Sequence, residues 1–214
     1  GIVAIPGMLS QQAGPGGVLS FFLSVFIVLA MSSSLGSLAK IYPGEAWNYL
    51  YPSKYGGHGL GMFSANCYLA GVIVAMGFLV QQAGVWSADF IPGAEPKLLG
   101  ALILGALTVT VLIGVEASSW GQYLIAGVVL CSLLVSSGAC LLHFDLAKWS
   151  PFLPKGPSAI FSAAPMAMFS FLGFESIASL YSILQDPEKN VRKACVYSVL
   201  VVGGIYLIFV LAII

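Results

Sequence analysis

Charge is what this sequence has least of. Eight basic and eight acidic residues in 214 make 7% of the chain, against roughly 25% in an ordinary soluble domain. So few charges cannot cover the surface of a soluble protein of this length, and lipid is the solvent that tolerates such a surface. Net charge is zero, so there is no basic field to bind nucleic acid. The two histidines, His58 and His143, stand apart at the edges of apolar runs, which gives no zinc-type cluster. The four cysteines (Cys67, Cys131, Cys140, Cys195) lie in apolar runs with no C-x-x-C spacing, so they are expected to be buried, reduced and structural. No cofactor or metal is implied.

What the chain has is hydrophobic residues, 59% of the total. A bilayer core takes about 20 of them as a helix. Six stretches qualify: Gly17–Ala39, Met62–Val80, Leu98–Val115, Gly121–Leu142, Ser158–Leu184 and Ala194–Ile214. A seventh apolar piece, Gly1–Leu9, is too short to span. With the residues to position 13 it reads as the second half of a helix, followed by Gly14-Pro15. The chain opens at Gly1 with no basic n-region and ends at Ile214 inside an apolar run. The expectation is a single transmembrane domain that is a piece of a longer protein, without a signal peptide.

Basic residues in the short loops set the orientation. Lys40, Lys54, Lys189, Arg192 and Lys193 fall on one side, and Lys97, Lys148 and Lys155 on the other. The first side is expected to face the cytoplasm. Tyr42, Tyr49 and Tyr51, with Trp86, Trp120 and Trp149, suit the membrane–water interface.

Two apolar segments are interrupted. One is Gly1-Ile-Val-Ala-Ile-Pro6-Gly7; the other runs from Pro165 through Phe169-Ser-Phe-Leu-Gly-Phe-Glu175. Proline removes a backbone donor and glycine adds freedom, so both loosen a helix. Glu175 is also the carboxylate near the middle of a span, with no lysine or arginine in its own helix. Such a group normally faces a polar cavity or a partner. If the partial helix is number one, the broken span is number six. Breaks in helices one and six are what two five-helix inverted repeats produce, each opening with a discontinuous helix. Half-helix N-termini offer N–H groups to an anion, and C-termini offer carbonyls to a cation. A zwitterionic amino acid matches that pair.

These residues resemble the amino acid–polyamine–organocation (APC) permeases. Gly1-Ile-Val-Ala-Ile-Pro6 resembles the tail of the family's G-x-G-I-F-x-x-P signature in helix one, and Gly14-Pro15 the start of helix two. Tyr42-Pro43 with Tyr49 and Tyr51 resembles the loop P-x-x-G-G-x-Y-x-Y. Phe169–Glu175 is similar to F-x-F-x-G-F-E of helix six, and Asp186–Val191 to N-P-x-K-N-V-P before helix seven. The departures are Ala46-Trp47 for the double glycine, Ile183-Leu184-Gln185 for an acidic pair, and Arg192 for a proline. No lysine or arginine occurs from Leu98 to Ala147, which argues against coupling through a helix-five lysine.

The resemblance implies an all-α membrane protein with a partial five-plus-five inverted-repeat (LeuT-like) fold, from the second half of helix one to helix seven. It implies a secondary transporter of amino acids or related amines, by proton-coupled symport or exchange, multi-pass in the plasma (inner) membrane. Gly1 and Ile2 would hold the substrate carboxylate through backbone N–H groups. Ser170 and Leu172 would offer carbonyls to its amino group, with Phe171 and Gly173 in the same unwound stretch. Phe169 would gate the site, and Glu175 would couple protonation to gating. The implied partners are the amino acid, the bilayer and protons.

An enzyme fits less well. Asp89, Asp145 and Asp186 lie in loops, where an intramembrane aspartyl protease needs two carboxylates on facing helices. A seven-helix receptor or sensor is the alternative by count alone, and it would leave the two breaks without a purpose.

Overall fold

A computed structural model describes residues 2–44, 46–91, 93–113, 115–142, 149–182 and 184–214. Among these, every regular element is helical: α1 (Ile5–Ala13), α2 (Gly17–Ile41), α3 (Trp47–Ala88), α4 (Pro96–Ile113), α5 (Val115–Leu142), α6 (Ser158–Met168), α7 (Ser176–Ser179) and α8 (Pro187–Ile213). Short 3₁₀ turns cover Gly14–Gly16 and Phe169–Phe171. Five helical stretches among the described residues are long and apolar enough to cross a bilayer, the first of them within Ile5–Ile41, which holds α1 and α2. The protein is an all-α, multi-pass integral membrane protein.

α1 and α2 form a hairpin. A Cβ placed on Gly17 would lie 2.9 Å from the Cβ of Leu9. A continuous helix would hold residues eight apart about 12 Å from each other, so the chain reverses at Gly14–Gly16. Gly14 permits this with φ +64.

The chain forms two compact units, Gly1–Gly61 with Leu133–Ile214, and Met62–Ser132. In the first, α2 packs against both α8 and α6. Its buried positions, Gly17, Ser20, Phe21, Ser24, Val28, Ser32, Leu35, Gly36 and Ala39, recur every three to four residues and so share one face. Many are small. Helices in lipid associate through close van der Waals packing rather than water exclusion, and small residues permit that approach. At Gly36 a Cβ would come within 2.7 Å of the Arg192 Cα on α8. Ser24 Oγ donates to the carbonyl of Ala164 on α6 at 2.7 Å. Arg192 Nη2 donates to Ser33 Oγ at 3.0 Å.

Two apolar clusters fill this unit. One gathers Ile2, Ile5, Leu9, Phe21, Val28, Phe171, Val199 and Phe209; the other gathers Leu35, Ala39, Tyr51, Ala178, Val191 and Cys195. Phe174 packs against both. In the second unit α3 and α4 approach closely, Gly84 lying against the Pro96 carbonyl and Gly100 against that of Val80.

Two features differ from the sequence reading. α3 begins at Trp47, inside the region read as loop, and bends at Gly57 (φ +75, ψ −180). Its first ten residues form a separate short helix, because Leu50 and Tyr51 dock onto the cluster of Leu35, Val191 and Cys195. The cysteines differ too. Cys195 is buried, Cys140 half-buried, and Cys67 and Cys131 exposed, all four as free thiols. A thiol behaves as a small hydrophobe, and a helix in lipid has no reason to turn it inward.

Candidate functional site: the break in the sixth hydrophobic segment

α6 is helical only to Met168, with Pro165 inside it. A 3₁₀ turn follows, and then Leu172 adopts an extended conformation (φ −53, ψ 130). Gly173 takes φ +107, a region that L side chains rarely enter. Helical geometry returns briefly in α7.

The backbone bonds across the break follow an alternation. Leu172 N–H donates to Phe169 O (3.4 Å), Phe174 to Phe171 (3.2 Å), Ser176 to Gly173 (3.1 Å) and Ala178 to Glu175 (3.1 Å). None of these bonds uses the carbonyl of Ser170 or Leu172. Glu175 is buried, and its Oε2 accepts the Gly173 N–H at 3.0 Å. The carboxylate thus braces the glycine whose conformation opens the helix.

The side chains of the break divide. Phe171 is 4% exposed, with its ring 5.6 Å from that of Phe21 and 6.0 Å from that of Tyr206. It anchors the stretch to α2 and α8. Phe169 packs against the same cluster and is partly buried. Leu172 is 55% exposed. Ser170 is half-buried, and its hydroxyl is buried without a hydrogen-bond partner.

Ile2 lies in the cluster that contains Phe171, and its carbonyl accepts the Ile5 N–H at 3.3 Å. α1 packs against α6, so the start of α1 and the break in α6 border one core. Gly1, His143, Asp145, Lys148 and Ile183 lie outside the described residues. No group of three or more His, Cys, Asp or Glu side chains comes together among the described residues.

The bond from Ser24 to Ala164, one residue before Pro165, was missed by sequence reading. Serines at 20, 24 and 32 are four and then eight residues apart, on one helix face, and that spacing was the available signal.

The geometry defines a class first: a polytopic, all-helical membrane protein with a backbone opening built into one apolar segment. The profile of the amino acid permease family matches residues 1–214, the entire chain. The chain belongs to that family. It is similar to the uncharacterized amino acid permease YecA of Bacillus subtilis strain 168, 27% identical over 214 residues, covering 97% of this chain and 49% of that protein. It is similar to the branched-chain amino acid permease BcaP of the same organism, 23% identical over 234 residues (96% and 49%). It is also similar to the lysine-specific permease LysP of Escherichia coli K12, 27% identical over 209 residues (91% and 42%). The chain spans about half the length of these relatives.

Proposed function

We propose that the whole protein is a secondary active transporter of amino acids or related amines, and not an enzyme. The observation that carries this reading is the break at Phe169–Glu175, where a helix stops inside an apolar segment and the backbone bonds across it run to the carbonyls of Phe169, Phe171, Gly173 and Glu175. Family membership supports it, as do the names of BcaP and LysP. Their substrates differ, one branched-chain and the other cationic, so the family supports the class of substrate rather than the amino acid.

In this reading the chain is one transmembrane domain, part of a five-plus-five inverted repeat. α1 is the second half of helix one, α2 to α5 are helices two to five, α6 with α7 is the discontinuous helix six, and α8 is helix seven. The protein sits in the plasma (inner) membrane. N–H groups near Gly1 and Ile2 hold the substrate carboxylate, and the carbonyls of Ser170 and Leu172 receive its ammonium. Phe171 and Gly173 shape the unwound stretch, Phe169 closes over the substrate, and Glu175 couples protonation to that movement. Protons are the coupling ion if the protein is a symporter.

The carboxylate end carries the selectivity. Charge-assisted hydrogen bonds contribute about 1.5–3 kcal/mol each, and a helix N-terminus adds roughly 0.3–2 kcal/mol. Loss of two such bonds corresponds to on the order of a hundredfold in affinity or more. The test is competition for uptake into proteoliposomes of the whole protein, each amino acid against its decarboxylated amine. The amino acid is expected to bind at least a hundredfold more tightly. Equal potency would remove the carboxylate from the scheme and favour a carrier of polyamines or organic cations.

A further inference from the structure

The outer face of α2 changes character along its length. Phe22, Phe26, Ala30, Ser33, Ser37 and Lys40 recur every three or four residues and so share one face. Each of them is exposed or half-buried. The first three are apolar, and the ring centroids of Phe22 and Phe26 lie 5.5 Å apart. The last three are polar, and Ser37 Oγ donates to the Ser33 carbonyl at 2.9 Å. The stripe has the profile of one bilayer leaflet, hydrocarbon first and headgroup after.

Arg192 of α8 reaches onto the polar half. A Cβ on Gly36 would lie 2.7 Å from its Cα, 3.2 Å from its Cβ and 3.3 Å from its Cγ, so its side chain crosses α2 where α2 carries none. Its Nη2 then donates to Ser33 Oγ at 3.0 Å. Ser33 is one turn deeper than Gly36, and about 9 Å of helix deeper than Ala39. Long cationic side chains ordinarily turn the other way, toward water. A guanidinium carries several N–H donors in a planar fork, and Ser33 takes one; the exposed remainder faces the membrane.

Lys189 and Lys193 lie within one turn of Arg192 on α8, and Lys40 lies at the end of α2. These outnumber Glu188, four residues before Arg192, so the corner is basic. Arg192 also stands where the family segment N-P-x-K-N-V-P has its last proline, so the feature belongs to this chain rather than to the shared pattern.

We propose that this corner of α2 and α8 binds the phosphate of an anionic phospholipid, whose acyl chain lies along Phe26 and Phe22. Arg192 is the ligating residue, because its fork matches phosphate oxygens. Ser33 is a positioning residue that holds the fork at headgroup depth, and Lys40 adds charge. The site uses no residue of the break at Phe169–Glu175 and does not depend on the transport reading.

The test is thermal unfolding of the whole protein in detergent, with phosphatidylglycerol or phosphatidylcholine added. Phosphatidylglycerol is expected to raise the melting temperature by several degrees more, since a ligand of the folded state stabilises it. Arg192→Gln is expected to remove most of that difference, Ser33→Ala part of it, and Ser33→Thr to restore it. Lys97→Gln, in the other unit, is expected to keep it whole. Equal effects of the two lipids, or an undiminished difference in Arg192→Gln, would overturn the site. An unchanged difference in Ser33→Ala would overturn the positioning role. Inorganic phosphate matching phosphatidylglycerol would overturn the lipid as the source of the phosphate. A second measurement needs no variant. Phosphatidylglycerol with a photoreactive group in its acyl chain is expected to label the peptide that contains Phe22 and Phe26. Unlabelled phosphatidylglycerol is expected to compete severalfold better than phosphatidylcholine. Equal competition overturns the proposal, as does absence of label there, the result if the rest of the whole protein covers this face.

Discussion

Glu175 sits in a turn rather than in a helix, and it accepts the Gly173 N–H. Glutamine keeps an acceptor at that position and loses the titratable proton. Glu175→Gln is therefore expected to bind amino acid normally and to flatten the pH dependence of uptake. Uptake measured across the pH range in proteoliposomes checks this, and an unchanged profile would leave Glu175 a structural brace. Gly173 allows a cleaner separation of strain from sterics. Nothing lies within 4 Å of a Cβ placed there, yet its φ is +107. Gly173→Ala should cost about 1–3 kcal/mol through backbone conformation alone. Uptake should fall with little loss of folded protein, because the change favours a different path through the break. Thermal unfolding alongside uptake separates the two effects.

Among the elements of the first unit, α2 and α8 cross with their backbones in close approach. Gly36 faces the Arg192 Cα, an atom that cannot rotate away, whereas Gly204 on α8 has open space around its Cβ position. Gly36→Ala should therefore lower the melting temperature in detergent by several degrees, while Gly204→Ala leaves it unchanged or raises it slightly through helix propensity. Equal effects at the two positions would show that the crossing is not packed as described. The start of α8 is fixed more locally. Asp186 takes a left-handed conformation (φ 48), Pro187 opens the helix, and Asn190 Nδ2 donates to the Gln185 carbonyl at 2.7 Å. Asp186, Pro187 and Asn190 thus each have a backbone task, which is why the motif was readable as an element boundary. The bend at Gly57 was not readable in the same way. Glycine alone does not distinguish a bend from a tolerated helical residue, and docking of Tyr51 against α8 decided it.

At the scale of the whole molecule, orientation rests on the basic residues. Lys40, Lys54, Lys189, Arg192 and Lys193 outnumber Lys97, Lys148 and Lys155, and cytoplasmic loops carry the excess. Single cysteines at Ser53 and Asn190, in a cysteine-free background, should resist an impermeant thiol reagent in intact cells, and one at Ser150 should react. The opposite pattern would invert the topology.

Low charge and long apolar runs determined the class by themselves, since a chain with 7% charged residues and helical lengths near the bilayer thickness has few other ways to satisfy its backbone. Proline and glycine chemistry marked where the sixth apolar segment loosens, because those residues act on their own backbone. The tertiary structure alone decided which carbonyls across the break enter local bonds and that Glu175 braces Gly173. It also decided that Ser24 ties α2 to α6 and that Lys155, in the segment before α6, reaches α1. Gln11 and Lys155 are 144 positions apart, and Ser24 and Ala164 are 140 apart. No local preference couples residues at such separations; the packing of α1 and α2 against α6 brings them within hydrogen-bonding distance.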